Sequence, residues 1–347
     1  MTGIYIHIPF CKRKCPYCDF YSFKADESKK DSYLKAVLLC LDKWKEKISD
    51  DIDTVYFGGG TPSVFGGERI AQVISFIKES FVLTEDAEIT VECNPSSVSE
   101  KFFLEIRNAG VNRISMGMQS AVDKERLTLG RLSDCNQVRQ AVAAAKEAGI
   151  DNISLDIMLG VPYQTMESLD ESIDFLLSFD IPHISAYMLK IEEGTPFYYD
   201  TPENLADEDQ MADYYLAACK KMAEYGYQQY EISNFCLPGY HSRHNTIYWC
   251  LEDYLGIGPG AHSCMGGNRF YYPRDLAAFI ASPQKIADGT ADADDYIMLS
   301  LRLKSGLNFD NLKNRYGLVP DAYVKRKLEI YAKQGFIDYD GTTVSLT

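Results

Sequence analysis

Residues 7–23 read HIPFCKRKCPYCDFYSF, and Cys11, Cys15 and Cys18 all lie within this one stretch. Four cysteines close a tetrahedral zinc site or ligate every iron of an iron–sulfur cluster, whereas three leave one iron of a 4Fe–4S cube open to another ligand. Pro16 stiffens the turn between the thiols, and basic residues at 12–14 offset the charge of a thiolate-ligated centre. The spacing alone also allows a zinc loop that His7 or a distant cysteine completes.

The chain has 347 residues, 46% of them hydrophobic, and a formal net charge of −15. This length predicts about two domains. The negative charge argues against nonspecific binding to nucleic acid or anionic lipid. No apolar stretch approaches the ~20 residues of a membrane span, and residues 1–11 lack the pattern of a signal peptide. We therefore expect a cytoplasmic protein whose ten cysteines are reduced thiols or metal ligands.

Short apolar, β-branched runs alternate with amphipathic helical stretches between residues 3 and 225. The runs predict six strands, at 3–8, 54–60, 88–93, 113–119, 153–160 and 183–189. The periodicity between them predicts helices near 28–48, 67–80, 99–109, 123–129, 135–148, 167–179 and 207–225. Strands separated by helices indicate a parallel sheet with right-handed crossovers. We expect these strands to be apolar on both faces, as in a covered parallel sheet.

This α/β pattern is shared by an open doubly wound sheet and a barrel, and the chemistry of the motifs favours a partial (β/α)6 barrel over residues 1–226. Residues 227–290 are rich in Gly, Tyr and His, with few helical signals, and are expected to be an irregular segment that completes the core. Residues 291–347 predict helices near 292–303, 308–316 and 321–334, then a hairpin that turns at Asp340–Gly341. This last unit resembles a small winged-helix domain.

Polar side chains stand at or near the ends of the predicted strands, where α/β folds bind ligands. GGGTP at 58–62 lets the backbone approach a ligand closely, with a plain turn into a helix as the alternative. Glu92 and Gln119 end the third and fourth strands. Asp156 interrupts the apolar run ISLDIML, where an unpaired charge is costly. Arg131 is suited to pair with a carboxylate. Together these positions predict one shared site.

The CxxxCxxC spacing after a first strand, followed in order by GGGTP, VECNP, GMQS, LGR and LDIMLGVP, resembles the radical S-adenosylmethionine (SAM) superfamily. The resemblance implies that Cys11, Cys15 and Cys18 ligate a 4Fe–4S cluster at the C-terminal ends of the barrel strands. It also implies that the amino and carboxylate groups of SAM chelate the fourth iron.

Within the superfamily, these motifs resemble the branch of oxygen-independent coproporphyrinogen III dehydrogenases. The match implies that one SAM lies among Tyr5, Gly60, Glu92 and Lys190. It implies that the neighbouring space, which holds a second SAM in that branch, is lined by Tyr17, Thr61, Gln119, Arg131 and Asp156. Two departures argue against porphyrinogen decarboxylation. Phe20 stands where the dehydrogenases have a further cysteine, and the first strand begins almost at Met1, without their N-terminal extension.

HNTIYW at 244–249 and DYLGIGPGAHS at 253–263 resemble the HemW family of haem chaperones, relatives of the dehydrogenases. Because histidine can ligate haem and aromatic rings pack on porphyrins, the resemblance implies haem contacts from His244, Asn245, Tyr248 and Trp249. His241, His262 and Cys264 are further candidate ligands. On the residues alone, the preferred alternative is that His244 and Asn245 satisfy backbone groups while the aromatic rings belong to the core.

The sequence therefore predicts a haem chaperone that carries a 4Fe–4S cluster and SAM, binds haem and delivers it to acceptor haemoproteins such as respiratory enzymes. The alternatives are an oxygen-independent coproporphyrinogen III dehydrogenase or other radical SAM enzyme, and a zinc-binding structural protein. Further expected partners are an electron donor such as a flavodoxin and a second copy of the chain in a homodimer. Nucleic acid is not among the expected partners.

Overall fold

A computed structural model describes residues 1–347 as an α/β fold with one sheet of twelve strands and one of three. The strands of the barrel region are β1 Thr2–Ile8, β2 Ile52–Gly59, β3 Leu83–Cys93, β4 Arg113–Gln119, β5 Asn152–Leu159 and β6 His183–Met188. The later strands are β7 Gln228–Glu231, β8 Asn234–Cys236, β9 Tyr254–Ile257, β10 His262–Met265, β11 Asn268–Tyr271, β12 Ile286–Thr290, β13 Leu307–Asn308, β14 Ile337–Tyr339 and β15 Thr343–Leu346.

Helices connect most of these strands. Those of the barrel region are α1 Glu27–Asp42, α2 Pro62–Phe65, α3 Gly67–Ser80, α4 Glu100–Ala109, α5 Asp123–Thr128, α6 Cys135–Glu147, α7 Met166–Leu177, α8 Pro196–Tyr199 and α9 Glu208–Glu224. The remaining ones are α10 Arg243–Trp249, α11 Leu276–Ala281, α12 Ala293–Ser300, α13 Phe309–Tyr316 and α14 Ala322–Lys333. None combines the length and the apolar character that a membrane crossing requires.

The strands β1 to β6 lie side by side in chain order, and every pair among them is parallel. The predicted partial (β/α)6 barrel is thus confirmed, and all six predicted strands overlap the observed ones. Helix α1 ends earlier than predicted, because residues 43–47 form turns after Asp42. Those turns place Trp44 against Phe270, with the ring centroids 5.3 Å apart.

The two faces of the barrel strands differ in chemistry. Outward residues such as Ile4, Ile6 and Phe57 are fully buried in the main apolar core, which they share with the surrounding helices. The inward residues are largely polar or aromatic, among them Tyr5, His7, Thr54, Tyr56, Glu88, Glu92, Arg113, Ser115, Ser154, Asp156, His183 and Ser185. Many of these bond to one another across the interior. The expectation that both faces are apolar is wrong, because the interior of this open barrel holds a polar network in place of packed aliphatic side chains.

Residues 227–290 contain more regular structure than the sequence indicates. Strands β8 and β7 extend the sheet beyond β6 in antiparallel fashion. Strand β9 lies parallel to β1 on the other side of the barrel, with Gly3 opposite Tyr254, and β10 to β12 continue the sheet outward. Leu255 and Ile257 are fully buried in the main core. The segment therefore adds strands to both edges of the barrel, and α10 lies on the path between those edges.

The C-terminal residues form a small unit of helices α12 to α14 and the sheet β13-β15-β14. The predicted helices and terminal hairpin are confirmed. The unit has a separate apolar cluster made of Leu251, Tyr296, Leu307, Leu312 and Val344. Arg315 of this unit donates to the carbonyl oxygens of Cys250 and Leu251, the two residues that follow α10, both at 2.8 Å.

Arg113 provides a test of the polar interior. It is only 2% exposed. Burial opposes its charge, but the carboxylates of Glu88 and Asp156 outweigh that effect and raise its pKa. We expect Arg113→Met to lower the free energy of unfolding by about 3 kcal/mol, because it leaves buried carboxylates without their counter-charge. Chemical unfolding followed by circular dichroism measures this change. The exposed Arg107→Met is the matched control and should stay within about 0.5 kcal/mol of the parent. Equal unfolding midpoints for the two variants would contradict the expectation.

Candidate functional site

The cysteine loop is held by backbone hydrogen bonds to the turn after β2. Gly60 donates to the carbonyl oxygen of Ile8 and Thr61 donates to that of Phe10, both at 2.8 Å. A Cβ atom on Gly60 would lie 2.8 Å from each of those two oxygens, so only glycine permits this approach. Cys11 donates its N–H to Phe23 at 3.0 Å, which closes the far side of the loop. The loop is therefore fixed relative to the strand ends.

The three thiols line a pocket of about 380 Å³ at the C-terminal ends of the barrel strands. Seven further residues that the sequence singles out line the same pocket: Tyr17, Gly60, Thr61, Glu92, Gln119, Arg131 and Asp156. Among the thiols, Cys11 Sγ lies 3.2 Å from Thr61 Oγ1. The structure thus brings most of the predicted site residues together around one space.

Two carboxyl groups face the pocket from neighbouring parts of the barrel. Glu92 accepts from the Tyr56 hydroxyl at 2.9 Å and from the N–H of Gly59 at 3.2 Å. Asp156 accepts from the Ser115 hydroxyl at 3.2 Å. Burial raises the pKa of both carboxyl groups, that of Glu92 to about 7. Glu92 therefore changes between its neutral and charged forms near neutral pH.

Gln119 and Arg131 present buried polar atoms that have no protein partner. Gln119 Oε1 and Arg131 Nε are both buried without a hydrogen bond. Gln119 also has φ of +75°, a left-handed conformation that non-glycine residues rarely adopt. A Cβ on Gly117 would lie 2.6 Å from Gln119 Nε2 and 3.0 Å from Arg131 Nη2, so both side chains depend on that glycine. Orphaned polar groups at a pocket are the kind that a polar ligand satisfies.

The surroundings of the thiols are partly basic and partly aromatic. Arg13 and Lys14 line the pocket, and Lys14 Nζ donates to the carbonyl oxygen of Phe20 at 3.0 Å. The Phe20 ring itself is 63% exposed at the rim of the pocket. Burial, with a smaller contribution from the other two cysteines, raises the pKa of the Cys18 thiol. Without a bound cation, burial therefore favours the neutral form of the Cys18 thiol.

His7, the nearby candidate for a zinc ligand, uses both ring nitrogens within the fold. Its Nε2 donates to the carbonyl oxygen of Tyr21 at 3.0 Å, so the Tyr5 hydroxyl must donate to Nδ1, also at 3.0 Å. Burial lowers the pKa of His7 to about 4. The ring is therefore neutral and has no nitrogen free for a metal in this arrangement.

Two predicted SAM residues lie outside the pocket lining. Tyr5 lies deeper in the barrel, with its ring centroid 6.2 Å from that of Tyr56. Lys190 follows β6, is 78% exposed in its side chain and pairs with Glu192 at 2.7 Å. The β6 residue that does line the pocket is Tyr187. Tyr187 pairs with Met158 of β5. Side chains alternate along a strand, so Tyr187 points into the barrel as Ser185 does two residues earlier, and this alternation is the sequence signal that could have identified it.

The HNxxYW residues lie at the N-terminal ends of the barrel strands, opposite the cysteine loop. His244 is 1% exposed. Its Nδ1 lies 2.7 Å from Thr54 Oγ1 and its Nε2 lies 2.7 Å from the Tyr248 hydroxyl. Trp249 faces the C-terminal unit, where the guanidinium carbon of Arg302 stands 4.2 Å from the ring centroid. Asn245 is half-buried, and its N–H donates to Ser242 Oγ at 3.4 Å. Haem contacts from these four residues stay a prediction.

Comparison with known proteins assigns the chain to a family. The sequence pattern of the radical SAM superfamily matches residues 5–176, and that of the HemN C-terminal domain matches residues 290–347. The heme chaperone HemW of Bacillus subtilis is 34% identical over 100% of this chain and 95% of its own length. HemW of Mycobacterium tuberculosis is 33% identical over 99% of this chain and 90% of its own length. HemW of Escherichia coli K12 is 38% identical over 75% of this chain and 69% of its own length. This chain belongs to the HemW family.

The fold of this HemW family member is also that of a solved radical SAM enzyme. Coproporphyrinogen III oxidase (HemN) from Escherichia coli superposes with a TM-score of 0.84 over 100% of this chain and 86% of its own, at 21% identity. The radical SAM family implies a 4Fe–4S cluster and SAM. The residues present fit both groups, because three thiols line one pocket together with Gln119 and Arg131, whose side chains carry buried polar atoms without a protein partner.

The cluster assignment predicts a specific pattern of cysteine dependence. After anaerobic reconstitution with iron and sulfide, we expect Cys11→Ala, Cys15→Ala and Cys18→Ala each to lose the bound iron, the bound sulfide and the visible absorbance. Each thiolate supplies one of only three protein ligands. Cys219→Ala is the matched control, because this half-buried thiol lies outside the pocket. His7→Gln should also keep the cluster. Stoichiometric zinc in place of iron and sulfide would contradict the assignment.

Proposed function

We propose that this protein is a cytoplasmic haem chaperone, which binds haem and passes it to acceptor haemoproteins such as respiratory enzymes. In this proposal Cys11, Cys15 and Cys18 hold a 4Fe–4S cluster, and SAM occupies the pocket beside it. The observation that carries the proposal is the match to HemW chaperones over nearly the whole chain, joined to a pocket that offers three cluster ligands. A flavodoxin-type electron donor and a homodimer belong to the same proposal.

The pocket supports the placement of SAM through complementary charge. SAM carries an amino group, a carboxylate and a ribose with two hydroxyl groups. Glu92 and Asp156 offer acceptors for the amino and hydroxyl groups, while Arg131 offers a donor for the carboxylate. Gly59 and Gly60 let the backbone approach the ligand. A cluster with SAM on its open iron supplies a centre for reductive cleavage of the sulfonium.

A second candidate function is the coproporphyrinogen III dehydrogenase reaction. The motifs GGGTP, VECNP, GMQS and LDIMLGVP favour it, whereas the superposition with HemN, at 21% identity, concerns the fold alone. Phe20 replaces the further cysteine of the dehydrogenase motif. Its exposed ring at the pocket rim leaves an apolar surface beside Arg13 and Lys14. An apolar ring next to basic groups can contact a tetrapyrrole and its carboxylates, which haem and coproporphyrinogen III share, so the missing cysteine is what separates this loop from that of the dehydrogenases.

The raised pKa of Glu92 predicts how SAM affinity depends on pH. The carboxyl group is buried beside Tyr5, Tyr56, Asp156 and Arg113, and its pKa is about 7. Only the deprotonated form accepts hydrogen bonds with both oxygens, so affinity should rise with pH through about 7. We expect binding about tenfold tighter at pH 8 than at pH 6, because the deprotonated fraction of a carboxyl group with a pKa of about 7 rises about tenfold between these two values.

Calorimetric titration of the anaerobically reconstituted protein with SAM measures this dependence. Glu92→Gln is the matched control, because an amide of the same shape cannot titrate. Its affinity should be lower at pH 8, and the step near pH 7 should disappear. The same step in parent and variant would assign the pH dependence to another group.

A transfer assay tests the chaperone function against the enzyme. Reconstituted protein is loaded with haem, separated from free haem and mixed with an apo-haemoprotein, and haem absorbance is followed in both proteins after separation. We expect near-stoichiometric haem binding and movement of haem to the acceptor. In parallel, the protein is incubated anaerobically with coproporphyrinogen III, SAM and a reductant. Formation of protoporphyrinogen would overturn the chaperone proposal in favour of the dehydrogenase.

A further inference from the structure

The HNxxYW helix α10 is fixed beneath the barrel by one buried carboxylate. Glu88 is 6% exposed and accepts from two consecutive backbone N–H groups, Arg243 at 3.1 Å and His244 at 3.2 Å. The Arg243 guanidinium adds ion pairs to Asp53 and Asp86 at the N-terminal ends of β2 and β3. The backbone that carries His244 is therefore held in one place relative to the barrel strands.

The ring of His244 is equally constrained. Both ring nitrogens contact hydroxyl groups, of Thr54 and Tyr248, at 2.7 Å. Burial lowers the pKa of His244 to about 3, so the ring is neutral. A neutral imidazole has one donor and one acceptor, and a hydroxyl can serve either. Both nitrogens are thus satisfied inside the protein, and coordination of a metal would require breaking one of these bonds.

His244 stacks on Tyr56, and Tyr56 donates to Glu92, which lines the pocket. The ring centroids of His244 and Tyr56 are 5.0 Å apart with the planes 23° from parallel. Tyr5 lies beside both rings, at 6.2 Å from Tyr56 and 6.3 Å from His244. The Tyr56 hydroxyl donates to Glu92 Oε1 at 2.9 Å, while Gly59 holds Oε2. A continuous set of contacts therefore joins the HNxxYW helix to a carboxylate in the pocket at the other end of the barrel.

We propose that His244 is a positioning residue for the pocket: by stacking on Tyr56, it fixes the hydroxyl that orients Glu92 toward SAM. This inference rests on the proposed SAM site, and it gives the motif histidine a role that differs from haem ligation. The contribution of the ring is its flat face against Tyr56. Its two nitrogens satisfy the hydroxyl groups of Thr54 and Tyr248, while the backbone hydrogen bonds to Glu88 hold the residue in place.

The test separates the aromatic face of residue 244 from its nitrogens. His244→Phe keeps a ring against Tyr56 but removes every metal-binding atom, whereas His244→Ala removes both. Tyr56→Phe removes only the hydroxyl that bonds to Glu92. Tyr214→Phe is the matched control, because it removes a buried hydroxyl that donates to the Gln164 carbonyl at 2.8 Å, away from the pocket. SAM affinity, haem affinity and cluster content are measured for each reconstituted protein.

We expect His244→Ala and Tyr56→Phe to weaken SAM binding about tenfold, as for loss of a hydrogen bond to a charged group. His244→Phe and Tyr214→Phe should bind SAM close to the parent level, and all four should keep the cluster and the haem affinity. In Tyr56→Phe, the step in SAM affinity should move to higher pH, because the hydroxyl that stabilises the carboxylate is gone. In a Glu92→Gln background, His244→Ala should have little further effect, since contacts in one network are not additive.

Three results would overturn the inference. One is unchanged SAM affinity in His244→Ala. Another is loss of haem affinity in His244→Phe with SAM binding intact, which would make His244 a haem ligand. The third is loss of SAM affinity in His244→Phe equal to that in His244→Ala. A parent protein that binds haem but no SAM would overturn the proposed SAM site itself, and this outcome is distinct because it appears before any variant is made.

Discussion

Two backbone hydrogen bonds, from Gly60 to Ile8 and from Thr61 to Phe10, extend the pairing of β1 and β2 beyond the strands and into the cysteine loop. The pocket depends on them, because they fix the loop against the ends of the neighbouring strands. A side chain at position 60 would separate the two segments. Three thiols on a free loop could ligate many metals in many geometries. Thiols on a loop attached to a barrel face one defined space.

The route of the chain explains why the cysteine loop and the HNxxYW helix lie at opposite ends of the barrel. After β6 the chain forms the β7–β8 hairpin on one edge of the barrel, passes through α10 and returns as β9 on the other edge beside β1. Helix α10 therefore lies across the N-terminal ends of the strands, while the cysteine loop lies at their C-terminal ends. The polar interior connects the two. Its charged groups tolerate burial because Arg113 lies among Glu88, Glu92 and Asp156.

The sequence allowed the six barrel strands to be located, since each is a short apolar run followed by glycine or polar residues, and parallel strand ends meet at one edge. The same reasoning placed Glu92, Gln119 and Asp156 at or near the ends of these strands. It did not reveal strands β7 to β12, which have three to five residues each and form by docking on existing sheet edges. Such short strands lack periodicity strong enough to recognise.

Tertiary contacts account for the other differences. The polar inner face was missed because inward residues such as Tyr56 and Ser154 alternate with aliphatic ones along the strands, and only the folded barrel shows that the inward residues bond to one another. Lys190 matches a position near the end of β6, but alternation along the strand brings Tyr187 to the pocket. Resemblance identifies a motif, whereas contacts across about 190 residues of sequence, such as Thr54 with His244, arise only from the fold.

Helix α10 is constrained from three directions within seven residues. His244 and Tyr248 face the barrel interior, where Tyr248 also packs edge-on against Tyr254 with ring centroids 4.5 Å apart. Trp249 faces Arg302 of the C-terminal unit. The end of the helix accepts both hydrogen bonds from Arg315. The contacts of His244, Tyr248 and Trp249 depend on their side chains, so these three residues of HNxxYW serve the fold itself, because a short helix must cover the end of the barrel and carry the C-terminal unit at once.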